Sequence, residues 1–344
     1  MNYRCLCFVA GIAALVSLAQ GQNVKSNWTA PRTPDGHPDF QGGWANNIAT
    51  PLERPRELAG RPSLTDEELA AMKKKAHELF NNGQSDAAFG DTVFNAVFAN
   101  INGTKSGFKS VDGETGDYSS VWTVERDWEN RTSLITDPSD GRLPPLTAEA
   151  AKRAAGQRAL GSPVDLIGRA DQAQDRPLQE RCITYGSPSL VAGYQSGYWI
   201  SQTPTSVIVV TEMIHDARVI PLDGGPHLPS TVHQWLGDSR GRWEGDTLVV
   251  DTTNYKARAF RNISSEKLHV IERFTRTGAE TLKYEITVDD PDTWTKPWSL
   301  MIPLRRSSDP YLEYACHEGN YGLAGVLAGA RAGDRAAEST SQSK

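Results

Sequence analysis

The chain has 344 residues, with 36 Lys and Arg against 42 Asp and Glu and a formal net charge of −6. Interspersed charges with an acidic balance exclude the basic face that nucleic-acid binding requires. The 9 Trp, 30 Gly and 20 Pro fit a β-rich body with many turns, built as one large domain with an accessory segment or as two small ones.

Residues 1–21 read as a signal peptide: Arg4, an apolar run from Cys5 to Ala19, and small residues at Ala19 and Gly21 that place cleavage after Gly21. No later run reaches the roughly 18 apolar residues of a membrane span. The expectation is a secreted or periplasmic protein with no stable membrane insertion. Cys182 and Cys316 are then the cysteines left in the mature chain. In an oxidising compartment they form a disulfide closing a loop of about 130 residues, worth roughly 4–5 kcal/mol in the loop-entropy picture.

Residues 22–117 read as an arm, a helix and a loop. From Asn27 to Pro62, prolines and glycines prevent regular structure, so the segment is expected to wrap the body as an extended arm anchored by Phe40 and Trp44. A helix starts at Thr65, where Thr65–Glu68 forms a capping box and Leu69, Met72, Ala76, Leu79 and Phe80 make an apolar stripe. Gln84–Asp117 is polar and Gly-punctuated, a long loop with room for one short helix.

Residues 118–330 read as an antiparallel β domain. Ser120–Glu125 and Arg131–Thr136 alternate like strands, and a helix over Ala148–Leu160 is capped by Thr147 and closed by Gly161. Further strands are expected at Arg181–Thr184, Tyr198–Gln202, Ser206–Ile214, Ala217–Leu222, Arg242–Trp243, Thr247–Thr253, Lys267–Arg276, Thr281–Asp289, Trp298–Arg305 and Leu312–Ala315. Sequential hairpins point to a meander. Closure removes exposed edges, so the fold expected first is a mainly β, lipocalin-like antiparallel barrel, with a β-sandwich as the alternative. Residues 331–344 read as a disordered tail.

Val207–Asn254 carries the densest chemistry. Glu212, His215, Asp216 and Arg218 lie in or beside an apolar strand, and charges there cost several kcal/mol unless paired. By strand alternation Glu212, Ile214, Asp216 and Arg218 share one face, with Met213 and His215 on the other unless a bulge intervenes. An imidazole at a strand end beside carboxylates suits acid–base work, and a structural ion pair of Arg218 with Asp216 or Glu212 explains the same residues without chemistry.

Glu272 falls on the apolar face of Leu268, Val270 and Phe274, either as a proton donor or paired with an arginine. His317 and Glu318 follow Cys316, which its bridge would hold rigidly. His37, His227 and His233 sit in turns and read as surface groups. Trp122, Tyr198, Trp199, Trp243 and Trp298 offer ligand walls, joined by Asp251 and Asn254 on a strand. His215 and His317 match no short metal motif, so no metal and no cofactor are expected. A nucleophile elbow, a phosphate loop and a dinucleotide fingerprint are likewise missing from the sequence.

Four strings, Arg32–Trp44 (RTPDGHPDFQGGW), Glu212–Arg218 (EMIHDAR), Trp235–Asn254 (WLGDSRGRWEGDTLVVDTTN) and Tyr314–Tyr321 (YACHEGNY), carry a resemblance to an uncharacterised family of secreted proteins of soil bacteria. The resemblance covers most of the mature chain, with Gln84–Asp117 departing from the pattern. It implies export and carries no catalytic residue over. Two functions remain open on the residues themselves. One is a cofactor-independent lyase, hydratase or isomerase using His215 as base, Asp216 or Glu272 as partner, and His317 with Glu318 closing the site. The other is a periplasmic or extracellular protein that binds a small molecule without transforming it.

Overall fold

The computed structural model describes residues 28–80, 92–104, 125–158, 170–194 and 196–342. The expected signal peptide, Ser120–Val124, Trp122 among them, and Gly161 lie outside the described residues.

Two antiparallel meanders account for the body. One runs through β3 (Gly197–Gln202), β4 (Ser206–Thr211) and β5 (Ala217–Pro221). The other runs through β6 (Asp238–Glu244), β7 (Thr247–Thr253), β8 (His269–Gly278), β9 (Thr281–Asp289) and β10 (Trp298–Ser307). Strands β8 and β9 alternate so that one row of side chains is buried: Val270, Glu272 and Phe274 on β8, Leu282, Tyr284, Ile286 and Val288 on β9.

The arm joins the meanders. Its residues Gly42–Ala45 form β1, which pairs with β3 on one side and β10 on the other. Trp44 is fully buried there, donating its indole N–H to the Phe40 carbonyl at 2.7 Å, with the guanidinium groups of Arg276 and Arg306 5.4 and 5.3 Å from its ring. The segment expected only to wrap the body thus supplies an interior strand. A short strand β2 (Ile135–Asp137) pairs with β10 to the side.

The sheet order is β5-β4-β3-β1-β10-β9-β8-β7-β6, a path with two ends. This corrects the closed lipocalin-like barrel: no ladder joins β5 to β6, and the open, sandwich-like arrangement named second is the nearer description. The ends do approach. A Cβ at Gly241 of β6 would lie 2.7 Å from Leu222 Cδ2 and 2.8 Å from Ile220 Cγ2, so side chains rather than hydrogen bonds fill the seam and glycine is needed to let them.

Helix α1 (Asp66–Phe80) begins with the reciprocal cap, Thr65 N–H to Glu68 Oε2 at 2.9 Å and Glu68 N–H to Thr65 Oγ1 at 3.2 Å. It packs on α2 (Thr92–Ile101), which occupies part of the expected loop, through Met72, Ala76, Phe94 and Val97. Helix α3 (Ala148–Arg158) is capped by Thr147, whose hydroxyl accepts from the Ala150 N–H.

Other expectations fail locally. Arg181–Thr184 and Leu312–Ala315 are irregular rather than strands, and Met213–His215 is a 3-10 turn that breaks the expected alternation after β4. Residues 331–342 of the tail expected to be disordered belong to α4 (Tyr321–Gln342), whose Ala-rich composition favours helix and whose start follows Asn320, which donates to the Glu180 carbonyl.

Candidate functional site

The site is built where β5 turns its inward row toward the core. Ile220 is fully buried, Val219 faces out at 59% exposed, and Arg218 points in. Glu272 on β8, flanked in register by the buried Val250 and Ile286, has no water to solvate its charge. Arg218 supplies the partner: Nη1 donates to Glu272 Oε2, and Nη2 donates to Oε1 at 2.8 Å. Tyr284 donates its hydroxyl to Oε1 as well.

Burial alone would weaken the Arg218 charge, but the Glu272 carboxylate outweighs it and holds the guanidinium pKa above its ordinary value. The Tyr284 hydroxyl is pushed far up, first by burial and then by Glu272. Burial raises the Tyr198 and Tyr255 phenols in the same way. Tyr284 also stacks on Phe274, ring centroids 4.3 Å apart, so the ion pair sits within an aromatic wall.

Beside this pair lies a cavity of about 20 Å³, room for a single water-sized group. Arg218, Tyr198 and Tyr284 face it from the core, Ser187 and Ser189 from the loop before β3, and Asp216 from its rim. Asp216 Oδ2 accepts from Thr184 Oγ1 at 2.7 Å and from the Tyr185 N–H at 3.2 Å. No hydrogen bond reaches Oδ1 from the described residues. Burial raises the Asp216 pKa, and those two hydrogen bonds offset only part of the rise.

The turn before Asp216 is strained. Ile214 and His215 both take positive φ, 61° and 63°, and for a β-branched residue that is a true outlier. The turn carries Glu212 inward, where Oε2 accepts from the Gly197 N–H at 3.2 Å, and a Cβ at Gly197 would lie 2.8 Å from that oxygen. Burial lifts the Glu212 pKa, and Asp309 adds to the rise. His215 turns out to solvent, its ring edge-on to Tyr311 with centroids 5.4 Å apart, and Trp199 meets the same Tyr311 at 6.5 Å.

These placements correct the acid–base constellation. His215 and His317 do not line the cavity, His317 and Glu318 occupy an exposed turn, and both Glu272 oxygens are committed to Arg218, so Glu272 is no proton donor. The expected Arg218 pairing with Asp216 or Glu212 is replaced by Glu272. The cavity beside Arg218 is lined by none of His215, Glu272 and His317.

The expected ligand walls divide as well. Tyr198 lines the cavity. Trp199 lies on the outer face of β3, 42% exposed, and Trp298 is buried with Trp294 and Phe260 away from the cavity. Trp243 stacks on His37, centroids 4.5 Å apart.

Asp251 and Asn254 hold a loop rather than a ligand. Asp251 Oδ1 lies 3.3 Å from His227 Nε2 and 2.9 Å from His269 Nε2, while Asn254 donates to the Leu228 carbonyl at 2.9 Å. His227 also reaches Asp238 at 2.9 Å, so the histidine read as a surface group bridges two carboxylates. Its position in a Pro/Gly turn concealed that role. Among the described residues, no group of three or more His, Cys, Asp or Glu is placed to hold a metal ion.

Cys182 and Cys316 are bonded, with Cα atoms 5.7 Å apart. The bridge ties the segment before the Thr184–Ser189 cavity wall to the segment after Tyr311. No described helix is long and apolar enough to cross a membrane.

No protein-family model and no curated protein matches the chain. A solved structure that does match is the crystal structure of a mutant of the fluorescent protein UnaG, at 14% identity, covering 41% of this chain and 90% of that one with a TM-score of 0.22. At that TM-score the likeness carries no argument about fold or function.

Proposed function

We propose that the protein binds a small organic molecule outside the cytoplasm without transforming it, using the cavity between Asp216 and the Arg218–Glu272 pair. The observation that carries this reading is the open acceptor of Asp216. Asp216 Oδ2 is held by Thr184 and Tyr185, Oδ1 accepts no hydrogen bond from the described residues, and the residue lines a cavity together with Ser187, Ser189, Tyr198 and Arg218. An ionised carboxylate only accepts hydrogen bonds, so the oxygen left without a protein donor is available to a donor on a ligand. The cavity is small, so one polar head enters and the rest of the ligand stays at the rim. The basic, apolar and small-residue order of residues 4–21, together with the resemblance to secreted soil-bacterial proteins, supports export.

The test is a thermal-shift screen of the oxidised full chain against a broad metabolite panel. A genuine ligand raises the melting temperature with concentration, and Asp216→Asn weakens that response while leaving the unliganded melt cooperative. A panel that stabilises neither protein, or stabilises both equally, overturns the assignment.

A further inference from the structure

The cavity beside the Arg218–Glu272 pair is lined by groups of opposite hydrogen-bonding sense. Asp216 brings the acceptor: Oδ2 is occupied by Thr184 and Tyr185, and no described residue donates to Oδ1. Arg218 brings the donor. A guanidinium carries five N–H groups, and the two bonds to Glu272 use one on each terminal nitrogen. The rest of the donor set has no acceptor among the described residues, and the side chain, 10% exposed, lines the cavity.

The backbone fixes the spacing of the two. Asp216 is extended, with φ −65° and ψ 124°, and leads directly into β5, where Ala217 is exposed. Alternation therefore turns Asp216 and Arg218 to the same side, their Cα atoms about 6.6 Å apart after two strand rises. An oxygen bonded to both side chains spans about 5.6 Å through two bonds of about 2.8 Å. One bridging atom suits that interval.

Size and chemistry narrow the head of the ligand further. The cavity of about 20 Å³ admits one water-sized group, and Pro188, Val209 and Leu236 make an apolar part of its wall. A carboxylate is too large for it and meets the Asp216 charge. An ammonium has donors and no acceptor, so the Arg218 N–H groups find nothing on it. An ether or a ketone has nothing to donate to Asp216. Water satisfies both partners, and a ligand group that takes the place of water keeps its affinity only by reproducing those bonds. A hydroxyl reproduces them.

We propose, on the ligand-binding reading above, that the ligand is an alcohol whose aliphatic hydroxyl enters this cavity, donating to Asp216 Oδ1 and accepting from the Arg218 guanidinium. Its carbon chain lies against the apolar wall. Glu272 is a positioning residue in this arrangement, since it holds the guanidinium in place without using its whole donor set.

The experiment titrates the isotopically labelled, oxidised full chain with phenethyl alcohol, phenethyl fluoride and phenethylammonium chloride, read by amide chemical shifts. The fluoride removes the donor at nearly unchanged size, and the ammonium removes the acceptor. The alcohol is expected to shift residues 186–189 and 209–218 saturably and to bind at least fivefold tighter than either of the others. In Asp216→Asn the amide oxygen can take over the bonds of Oδ2, which leaves a donor where Oδ1 stood, so the alcohol is expected to fall to the affinity of the fluoride. Val209→Ile adds a methyl group to the cavity wall and is expected to abolish binding with the melting temperature retained.

Equal affinity for alcohol and fluoride, or tighter binding of the ammonium, overturns the hydroxyl assignment and leaves the cavity a ligand site of other chemistry. Absence of binding by all three also overturns it, and the metabolite screen then judges the broader reading alone. Alcohol binding that neither variant alters, or that shifts only residues remote from the cavity, places the site elsewhere and overturns the proposal.

Discussion

Arg218 on β5 and Glu272 on β8 meet through the two terminal guanidinium nitrogens inside the core, although their strands lie toward opposite ends of the sheet path. The pair therefore reports on the curl of the whole sheet. Glu272→Gln leaves the guanidinium buried without a counter-charge, and the expected loss is about 3–5 kcal/mol in urea unfolding. The double variant Arg218→Met with Glu272→Leu removes both charges and is expected to recover much of that loss. If Glu272→Gln melts like the parent, the pair does not hold the two regions together.

The bridge between Cys182 and Cys316 closes a separation of 134 residues. Replacing both cysteines by serine is expected to cost about 2–5 kcal/mol. Hydrogen exchange locates the effect: residues 311–321 lose protection first, while the β8–β9 hairpin, with its own ladder, keeps most of its protection. Uniform loss across both regions would show that the bridge stabilises the chain without holding the rim in particular.

Trp44 is the apolar anchor of β1. Trp44→Ala is expected to destabilise the protein by about 3–5 kcal/mol, and Arg276 and Arg306 lose the ring between them in the same step. Denaturant titration followed by far-ultraviolet dichroism checks it. A change below about 1 kcal/mol would mean that β1 is dispensable to the sheet.

Asp216 and Glu212 have folded-state pKa values raised by burial. Folding thus disfavours their ionised forms. The penalty is complete above the raised values and absent below the ordinary carboxylate values, so it shrinks as pH falls through that window. Asp216→Asn is expected to be more stable than the parent near about pH 7, with the margin disappearing near about pH 4. Urea midpoints at both pH values decide it, and a margin that grows on acidification would contradict the sign.

Much of the second meander was legible because its chemistry is local. Leu282, Tyr284, Ile286 and Val288 alternate with polar residues, and the neighbouring strand buries Val270, Glu272 and Phe274 in the same rhythm, with Glu272 the charged member of that row. That member marked the core charge, and the Glu212–Arg218 string marked the rim. The partner of Glu272 was hidden because sequence alternation gives the face of a side chain but says nothing of which strand lies opposite.

β1 was hidden for another reason. Gly42–Ala45 is too short, and too surrounded by proline and glycine, to show a period. Its strand character comes from two partners remote in sequence. The open end of the sheet was equally out of reach, since edge strands β5 and β6 have no pattern that tells a side-chain seam from a ladder. The turn at Met213–His215 parted Met213, which is buried, from His215, which is exposed, although alternation put the two on one face, and the positive φ angles of Ile214 and His215 mark the break.

The position of β1 also sets a constraint in time. Gly42–Ala45 leaves the ribosome before either of its partners, with β3 well over a hundred residues behind it and β10 further behind still. The nascent strand has no partner until β3 is made, and both its edges are satisfied only when both meanders exist to receive it. A topology whose central seam depends on such distant contacts folds slowly, because a long loop must close before any contact repays the closure. The full pairing of β1 therefore comes only after both meanders have been made.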